Sequence, residues 1–375
     1  MTLRAVGVEE ELLVVDPSTG EPVRAGPRLV RKVRAETAER GRLPTRSVLD
    51  GSGISGELMR QQVEVGTSPR IDLDALADQV REHRRVAIAA AESEGLSVVA
   101  LGTSPLPTTP AVSPDARYQS LLSEFRQVAG DLLINGCHVH VDVRSREEAV
   151  AVVDRIQPWL PLLRAISCNS PFWKGRDSGY ASYRSLVWGR WPTAGPTEPF
   201  GTLATYEHAV EALLSTGAVV DRGNLYFDAR LSERYPTIEI RVADVCLYPD
   251  DAVLVAALAR GLVETLARAW EQQRPFEPAR VALLRTAHWR AAREGLGGRL
   301  QHPLTHQPAA AAEALRVLLD TTADALDDAG DRIGVAELVA QVLARGTGAA
   351  AQRQAFHRRS SLADVVRAAV RLTRG

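Results

Sequence analysis

The chain has 375 residues, 45 Lys+Arg against 46 Asp+Glu, a formal net charge of −1, 45% hydrophobic residues and 24% charged residues. This is the make-up of an ordinary globular chain and excludes a disordered, collagen-like or disulfide-scaffold protein. The near-neutral balance gives no electrostatic footprint for nucleic acid or an anionic membrane.

Cys137, Cys168 and Cys246 are odd in number and form no CxxC pair, which predicts reduced thiols in a cytoplasmic protein. The N-terminus carries three consecutive glutamates where a signal peptide needs an apolar core. The longest apolar run, 253–267, is interrupted by Arg260 and Glu264, so no segment reaches the ~20 apolar residues of a membrane span. Length alone allows two domains of ~150 residues. No linker, repeat or low-complexity tract divides the chain, however, and it reads as one domain over 1–375. Neither of its two lysines, Lys32 and Lys174, follows a GxxxxG loop, and no GxGxxG lies between a strand and a helix; a nucleotide would be held some other way.

In chain order, residues 4–15 alternate and predict a strand, 27–40 a basic amphipathic helix, and 61–67 a second strand ended by Ser68-Pro69. Residues 72–94 predict a long helix with Asp72 as its cap and Gly95 as its stop. A strand over 96–104 and a helix over 115–133 follow. Residues 136–143 alternate, with His138, His140 and Asp142 on one face and Val139, Val141 and Val143 on the other. One or two helices run to 168. The stretch 169–203 carries three tryptophans, Trp173, Trp188 and Trp191, and four prolines without periodicity; a structureless stretch longer than ~15 residues in a compact protein is usually functional or disordered. After a helix near 205–216, residues 224–230 and 237–245 predict an antiparallel hairpin. From 250 onward the chain reads as helical. Strands that alternate polar and apolar residues imply an antiparallel or mixed sheet with one ligand- or solvent-facing side, so the fold class is α+β.

On a strand, residues i and i+2 share a face. Glu9 and Glu11 therefore project together with Glu10 opposite, as do His138 and His140, and Glu239 and Arg241, while Glu64 sits mid-strand. The plain reading of each is a solvated sheet face. The alternative is one concave face lined with acids, which demands a cation because like charges at a few ångströms repel strongly outside water. Carboxylates with one or two imidazoles suit Mg²⁺ or Mn²⁺. Cys137 falls on the face opposite His138 and reads as a small core residue, as do Cys168 and Cys246. The tryptophans of 169–203 read as packing before nucleotide stacking.

The ordered set Gly7-Val8-Glu9-Glu10-Glu11-Leu12, Gln62-Val63-Glu64-Val65-Gly66-Thr67, Gly136-Cys137-His138-Val139-His140-Val141 and Pro236-Thr237-Ile238-Glu239-Ile240-Arg241-Val242-Ala243-Asp244 resembles the bacterial type 2 glutamate–cysteine ligase family, ATP-dependent carboxylate–amine ligases similar in fold to glutamine synthetase. Ser182-Tyr183-Arg184, Trp191-Pro192, Gly195-Pro196, Trp289-Arg290-Ala291-Ala292-Arg293 and Gly346-Thr347-Gly348-Ala349 extend the resemblance over essentially the whole chain.

The resemblance implies a curved, largely antiparallel sheet packed by helices, with a helical C-terminal third. Its concave face would bind ATP and Mg²⁺ or Mn²⁺ together with small-molecule substrates, an amino acid carboxylate donor and an amine acceptor. Carried over by motif, the metal set is Glu9, Glu11, Glu57, Glu64, His138 and Glu239. Glu57 lies seven residues before Glu64, and on one strand that odd separation would put it on the wrong face, so it requires a bulge or preceding loop near Gly53 and Gly56. Arg241 is the substrate arginine beside Glu239, and Arg184 and Arg230 are candidates for a substrate carboxylate or phosphate, with Arg184 equally able to pair with a structural acid. His288 stands where the family motif has asparagine. The implied reaction forms an amide of γ-glutamyl type through an acyl phosphate, with phosphoryl charge neutralised by metal and arginine. The oligomeric state is left open, a homodimer included.

Two alternatives stand beside this reading. HxH on a strand also opens metal-dependent amidohydrolases, but there it lies near the first strand of a (β/α)₈ barrel, and here it is mid-chain. A non-catalytic nucleotide-binding relative would be marked by loss of a metal acid.

Overall fold

The computed structural model describes residues 3–39 and 53–375. The first strand, β1 (Val6–Val15), leads into α1 (Gly26–Glu39); residue 40, the expected end of that helix, lies outside the described residues. The hairpin of β2 (Gly53–Gly56) and β3 (Gln62–Gly66) follows, then α2 (Leu73–Glu92), β4 (Ser97–Val99), α3 (Ala116–Phe125), α4 (Gln127–Gly130) and β5 (Gly136–Asp142). Helices α5 (Arg146–Ile156) and α6 (Leu160–Ser167) precede a minimal hairpin, β6 (Phe172–Trp173) with β7 (Arg176–Asp177), then α7 (Arg184–Trp188) and α8 (Leu203–Ser215). Strands β8 (Ala229–Leu231) and β9 (Thr237–Asp244) complete the main sheet. The remainder is α9 (Pro249–Glu271), α10 (Val281–Glu294), the short hairpin β10 (Arg299–Gln301) and β11 (Pro308–Ala310), and α11 (Ala311–Ala329), α12 (Arg332–Arg345), α13 (Gly348–Arg359) and α14 (Leu362–Thr373).

The local reasons are those of the sequence. The Asp72 carboxylate accepts from Ala75 N at 2.7 Å and starts α2, and Gly95, at φ +69°, turns the chain just beyond its end. The helix expected over 115–133 is broken at Arg126, whose φ of +50° separates α3 from α4. The strand expected over 96–104 keeps only 97–99, because only that part pairs with β1, at Leu13–Val15. Likewise only Ala229–Leu231 of the stretch 224–230 joins the sheet, a 3₁₀ turn occupying Arg222–Asn224. The hairpins β6/β7 and β10/β11 have two- and three-residue strands, too short to show a period.

The main sheet runs β2-β3-β1-β5-β9-β8, every pairing antiparallel, with β4 beside the C-terminal end of β1. Register sorts its side chains. Val6, Val8, Val139, Val141, Ile238 and Ile240 all point into a core closed by α5, α6 and α9. Helix α9 is buried along most of its length. No helix among the described residues is long and apolar enough to cross a membrane.

Candidate active site

The other face of the sheet lines a cleft of ≈ 1100 Å³. Antiparallel register sets Glu11 opposite Glu64, Glu9 opposite His138, His140 opposite Glu239, and Glu239 opposite Arg230. Side chains from five strands thus converge although they are spread over more than two hundred residues of sequence. Glu57 joins them by a different route. It lies just past β2, which doubles back on β3, with Ser55 opposite Glu64. The parity difficulty disappears because Glu57 and Glu64 are not on one strand. Each of Glu11, Glu57 and Glu64 offers a carboxylate oxygen within 4.8 Å of the others.

The electrostatics divide the cleft. At the acid end, burial pushes the Glu57 carboxyl well above the usual carboxylate range, and the charges of Glu11 and Glu64 push it further. Burial also raises Glu11, against the pull of Arg184 and a 2.6 Å hydrogen bond from Gly136 N. In the middle, the Glu9 Oε2 atom lies 3.7 Å from His138 Nδ1 and 3.7 Å from His140 Nε2. Burial and Arg241 push His138 down to about 4, so its imidazole is neutral at neutral pH. Burial also works to lower His140, but Glu9 and Glu239 win and hold it above its ordinary value. At the arginine end, burial works to raise Glu239, yet Arg230 and Arg241 hold it far below the usual range. Arg230 Nε donates to Glu239 Oε2 at 2.8 Å and Arg241 Nη1 to Oε1.

The His138 Nε2 atom is buried with no hydrogen-bond partner and lies 4.0 Å from Glu11 Oε1. A neutral imidazole with an unpartnered nitrogen facing a carboxylate cluster fits a hard divalent cation with mixed oxygen and nitrogen ligands. Of the six expected metal-site residues, Glu11, Glu57 and Glu64 form one cluster, Glu9 and His138 lie beside it, and Glu239 is engaged by two arginines.

The three expected arginines separate. Arg230 and Arg241 line the cleft, and Arg184 does not. Arg184 is 1% exposed, 3.9 Å from Asp244, and burial lowers its pKa. It is therefore a buried cation beside Asp244, outside the cleft lining. His288 is likewise buried on α10, 3.3 Å from Asp228 and behind the cleft.

Trp188 and Trp191 are buried in the core and also form a cleft wall with Tyr226, ring centroids 4.8 and 4.7 Å from that tyrosine, and Arg241 lies 5.2 Å from the Trp188 ring. Trp173 packs against Tyr183 outside the cleft. Sequence reasoning did not assign His140, Tyr118, Tyr226 or the Arg117–Asp221 pair at 2.9 Å to the site. Strand parity already grouped His140 with His138; the others sit on a helix and on irregular segments, where no period reveals a face.

Two solved structures share the fold. The chain superposes on a bifunctional glutathione synthetase from Pasteurella multocida with a TM-score of 0.68 at 15% identity, covering 99% of this chain and 52% of that one, so it spans about half of that enzyme. It superposes on a glutamate–cysteine ligase from Francisella tularensis, solved in complex with AMP, with a TM-score of 0.65 at 12% identity, covering 100% of this chain and 90% of that one. Residues 5–369 match the model of glutamate–cysteine ligase family 2, and the chain belongs to that family. A protein of Streptomyces avermitilis provisionally named glutamate–cysteine ligase 2-1 is 50% identical over 373 residues, all of both chains. A glutamate–cysteine ligase 2 of Streptomyces coelicolor, also provisionally named, is 48% identical over 376 residues, 99% of each. The resemblance of the motifs is thereby upheld, as is the reading of an ATP-dependent carboxylate–amine ligase, and the amidohydrolase alternative falls.

Proposed function

We propose that this protein is a glutamate–cysteine ligase that uses ATP and a divalent cation to convert a glutamate side-chain carboxylate to an acyl phosphate, which the amine of cysteine then attacks. The observation that carries the reading is the carboxylate cluster of Glu11, Glu57 and Glu64 with the unpartnered, neutral His138 at its edge, in a chain of this family. Glu11, Glu57, Glu64 and His138 would hold the cation, with Glu9 beside them and Glu239 at the far side. When bound, Mg²⁺ or Mn²⁺ supplies charge neutralisation to the phosphate oxygens.

The chain's own residues do the rest. Arg241 and Arg230, fixed by Glu239, present guanidinium groups toward a substrate carboxylate or the developing acyl phosphate, where preoriented cations stabilise charge without reorganising. Both would be held by hydrogen bonds made before substrate arrives, since Arg230 Nη1 also donates to Leu225 O at 2.8 Å and Gly223 O at 3.0 Å. The buried wall of Trp188, Trp191 and Tyr226 excludes water beside Arg241, which protects an acyl phosphate from hydrolysis.

The test is a screen of amino acid pairs with ATP and Mg²⁺, following ADP, phosphate and ligated product by mass. γ-Glutamylcysteine with equimolar ADP and phosphate is the expected result. Release of AMP and pyrophosphate would replace the acyl phosphate by an acyl adenylate. Another productive pair with glutamate–cysteine inert would keep the ligase chemistry and reassign the substrates.

A further inference from the structure

Arg184, open in sequence to either a substrate or a structural acid, is buried outside the cleft lining and beside Asp244, and its surroundings suggest a particular task. The strand pairing sets Gly136 opposite Asp244 at the end of the β5–β9 ladder. Asp244 is fully buried and held in place: its Oδ2 accepts from Ser170 Oγ at 2.6 Å and from Asn169 N at 2.9 Å, and its Oδ1 from Ser182 Oγ at 2.7 Å. Arg184 is tied to the same place twice, its backbone N donating to Ser170 Oγ at 3.0 Å and its Nη1 lying 3.9 Å from Asp244 Oδ1.

Its head group is pressed onto Gly136. A Cβ added there would come within 2.9 Å of Arg184 Cζ and closer still to Nη2, so any side chain at 136 would force the buried guanidinium to shift. From the same residue, Gly136 N donates to Glu11 Oε2 at 2.6 Å, and two residues on the strand carries His138. Gly136 shares the His138 face of β5, so one backbone position joins the buried guanidinium to two members of the acid cluster, and the charge of Arg184 also acts on Glu11 directly.

We propose that Arg184 is a positioning residue: packed on Gly136 and anchored by Asp244, it fixes the start of β5 and thereby holds Glu11 and His138 in the arrangement that binds a divalent cation. This rests on the metal-dependent reading above. Partners of metal ligands typically contribute 10–100-fold to metal affinity through such orientation, and Arg184 would act one backbone position further out, without touching the substrate.

The test is a titration of the full-length, nucleotide-free protein with Mn²⁺, reading free Mn²⁺ by electron paramagnetic resonance. Gly136→Ala leaves the residue-136 N–H available to Glu11 while its methyl displaces Arg184, and should weaken Mn²⁺ binding about 10-fold or more in protein that circular dichroism shows to be folded. Arg184→Lys keeps the charge beside Asp244 but loses the planar head on Gly136. It should weaken binding less, and added to Gly136→Ala it should recover part of the loss, since the group the methyl meets is gone. That recovery is the reading to use if Gly136→Ala alone folds poorly. Wild-type Mn²⁺ affinity in folded Gly136→Ala, with only thermal stability reduced, would make Arg184 merely structural and overturn the proposal. So would unchanged Mn²⁺ affinity with a raised KM for an amino acid substrate, which would restore substrate contact. A wild-type protein that binds no Mn²⁺ overturns the metal-dependent reading itself, and is told apart because the failure is then not confined to the variants.

Discussion

Glu10 and its neighbours Glu9 and Glu11 are adjacent in one strand, yet the two faces of the sheet treat the same side chain in opposite ways. On the packed face, Glu10 meets Arg84 in a fully buried bidentate pair, Nη2 to Oε1 at 2.6 Å and Nε to Oε2 at 2.9 Å. Arg84 spends its remaining donors on the carbonyls of Cys246, Leu247 and Thr373. That face neutralises a charge by giving it a fixed partner within the fold. On the cleft face, Glu11 is gathered with two further carboxylates, and Glu57 resists ionisation because of its burial first and the charges of Glu11 and Glu64 second. A closed ion pair contributes to the fold; clustered like charges cost stability and favour a cation from solution. The difference assigns structure to one face and chemistry to the other.

The largest expected effect breaks the packed face. Glu10→Ala strands Arg84 as a buried, uncompensated charge, which costs ~3–5 kcal/mol and should lower Tm while leaving kcat per folded molecule intact. Equal loss of turnover in folded Glu10→Ala would erase the distinction between the faces.

On the cleft face the opposite pattern is expected. Glu57→Gln should reduce kcat by roughly 10²–10³-fold, the scale of losing one electrostatic element of a transition-state site, and should raise Tm of the metal-free protein. The sign follows from linkage. A carboxyl whose folded pKa is raised binds more protons folded than unfolded above its ordinary value of 4.5, so stability falls as pH rises from there, and removing the charge abolishes the loss at neutral pH. A differential scan at pH 7 with EDTA checks it; a lower Tm in the glutamine variant would contradict the repulsion.

Arg241→Lys sharpens the comparison within the cleft. Glu239 keeps Arg230, so the fold should tolerate the change, while the loss of a bidentate-capable guanidinium costs about 1.5–3 kcal/mol in kcat/KM. Mn²⁺ affinity should move little. A kinetically silent Arg241→Lys would make Arg241 a counter-ion of Glu239 only, and transfer the substrate carboxylate to Arg230.

The smallest effect is a pH dependence. His138 has a folded pKa of about 4 against an ordinary 6.5, so between those values the unfolded chain binds the additional proton and stability falls as pH falls. His138→Gln should flatten the Tm profile of the metal-free protein across pH 6.5 to 4. A profile unchanged by the substitution would mean that the imidazole is not held neutral.

Most of the site was readable in advance because strand parity is local. Glu9 with Glu11, His138 with His140, and Glu239 with Arg241 are each two residues apart, and a period of two puts each pair on one face of its strand whatever the sheet order. The motif order then pointed to the family, and the match over residues 5–369 agrees. What alternation cannot specify is which strand lies beside which. Glu11 meets Glu64 only because β1 and β3 pair in that register, and Glu57 reaches the cluster only because the chain folds back after β2.

The arginines mark the boundary most clearly. Arg241 lies on an alternating strand and its face was set with that of Glu239 by their spacing, whereas Arg230 came from the family resemblance and its place opposite Glu239 from the strand pairing. Arg184 lies in a five-residue helix after an irregular loop, where no periodicity assigns a direction, and only the packing of Gly136, Asp244 and Trp188 around it placed it buried at the margin of the cleft, outside its lining. Arg84, 74 residues from Glu10, was equally invisible as its partner. The sequence by itself determined which side chains share a face, through the two-residue period of a strand; the tertiary structure alone decided which charges meet across elements, because the pairing of distant charges depends on strand register and helix docking and leaves no local pattern.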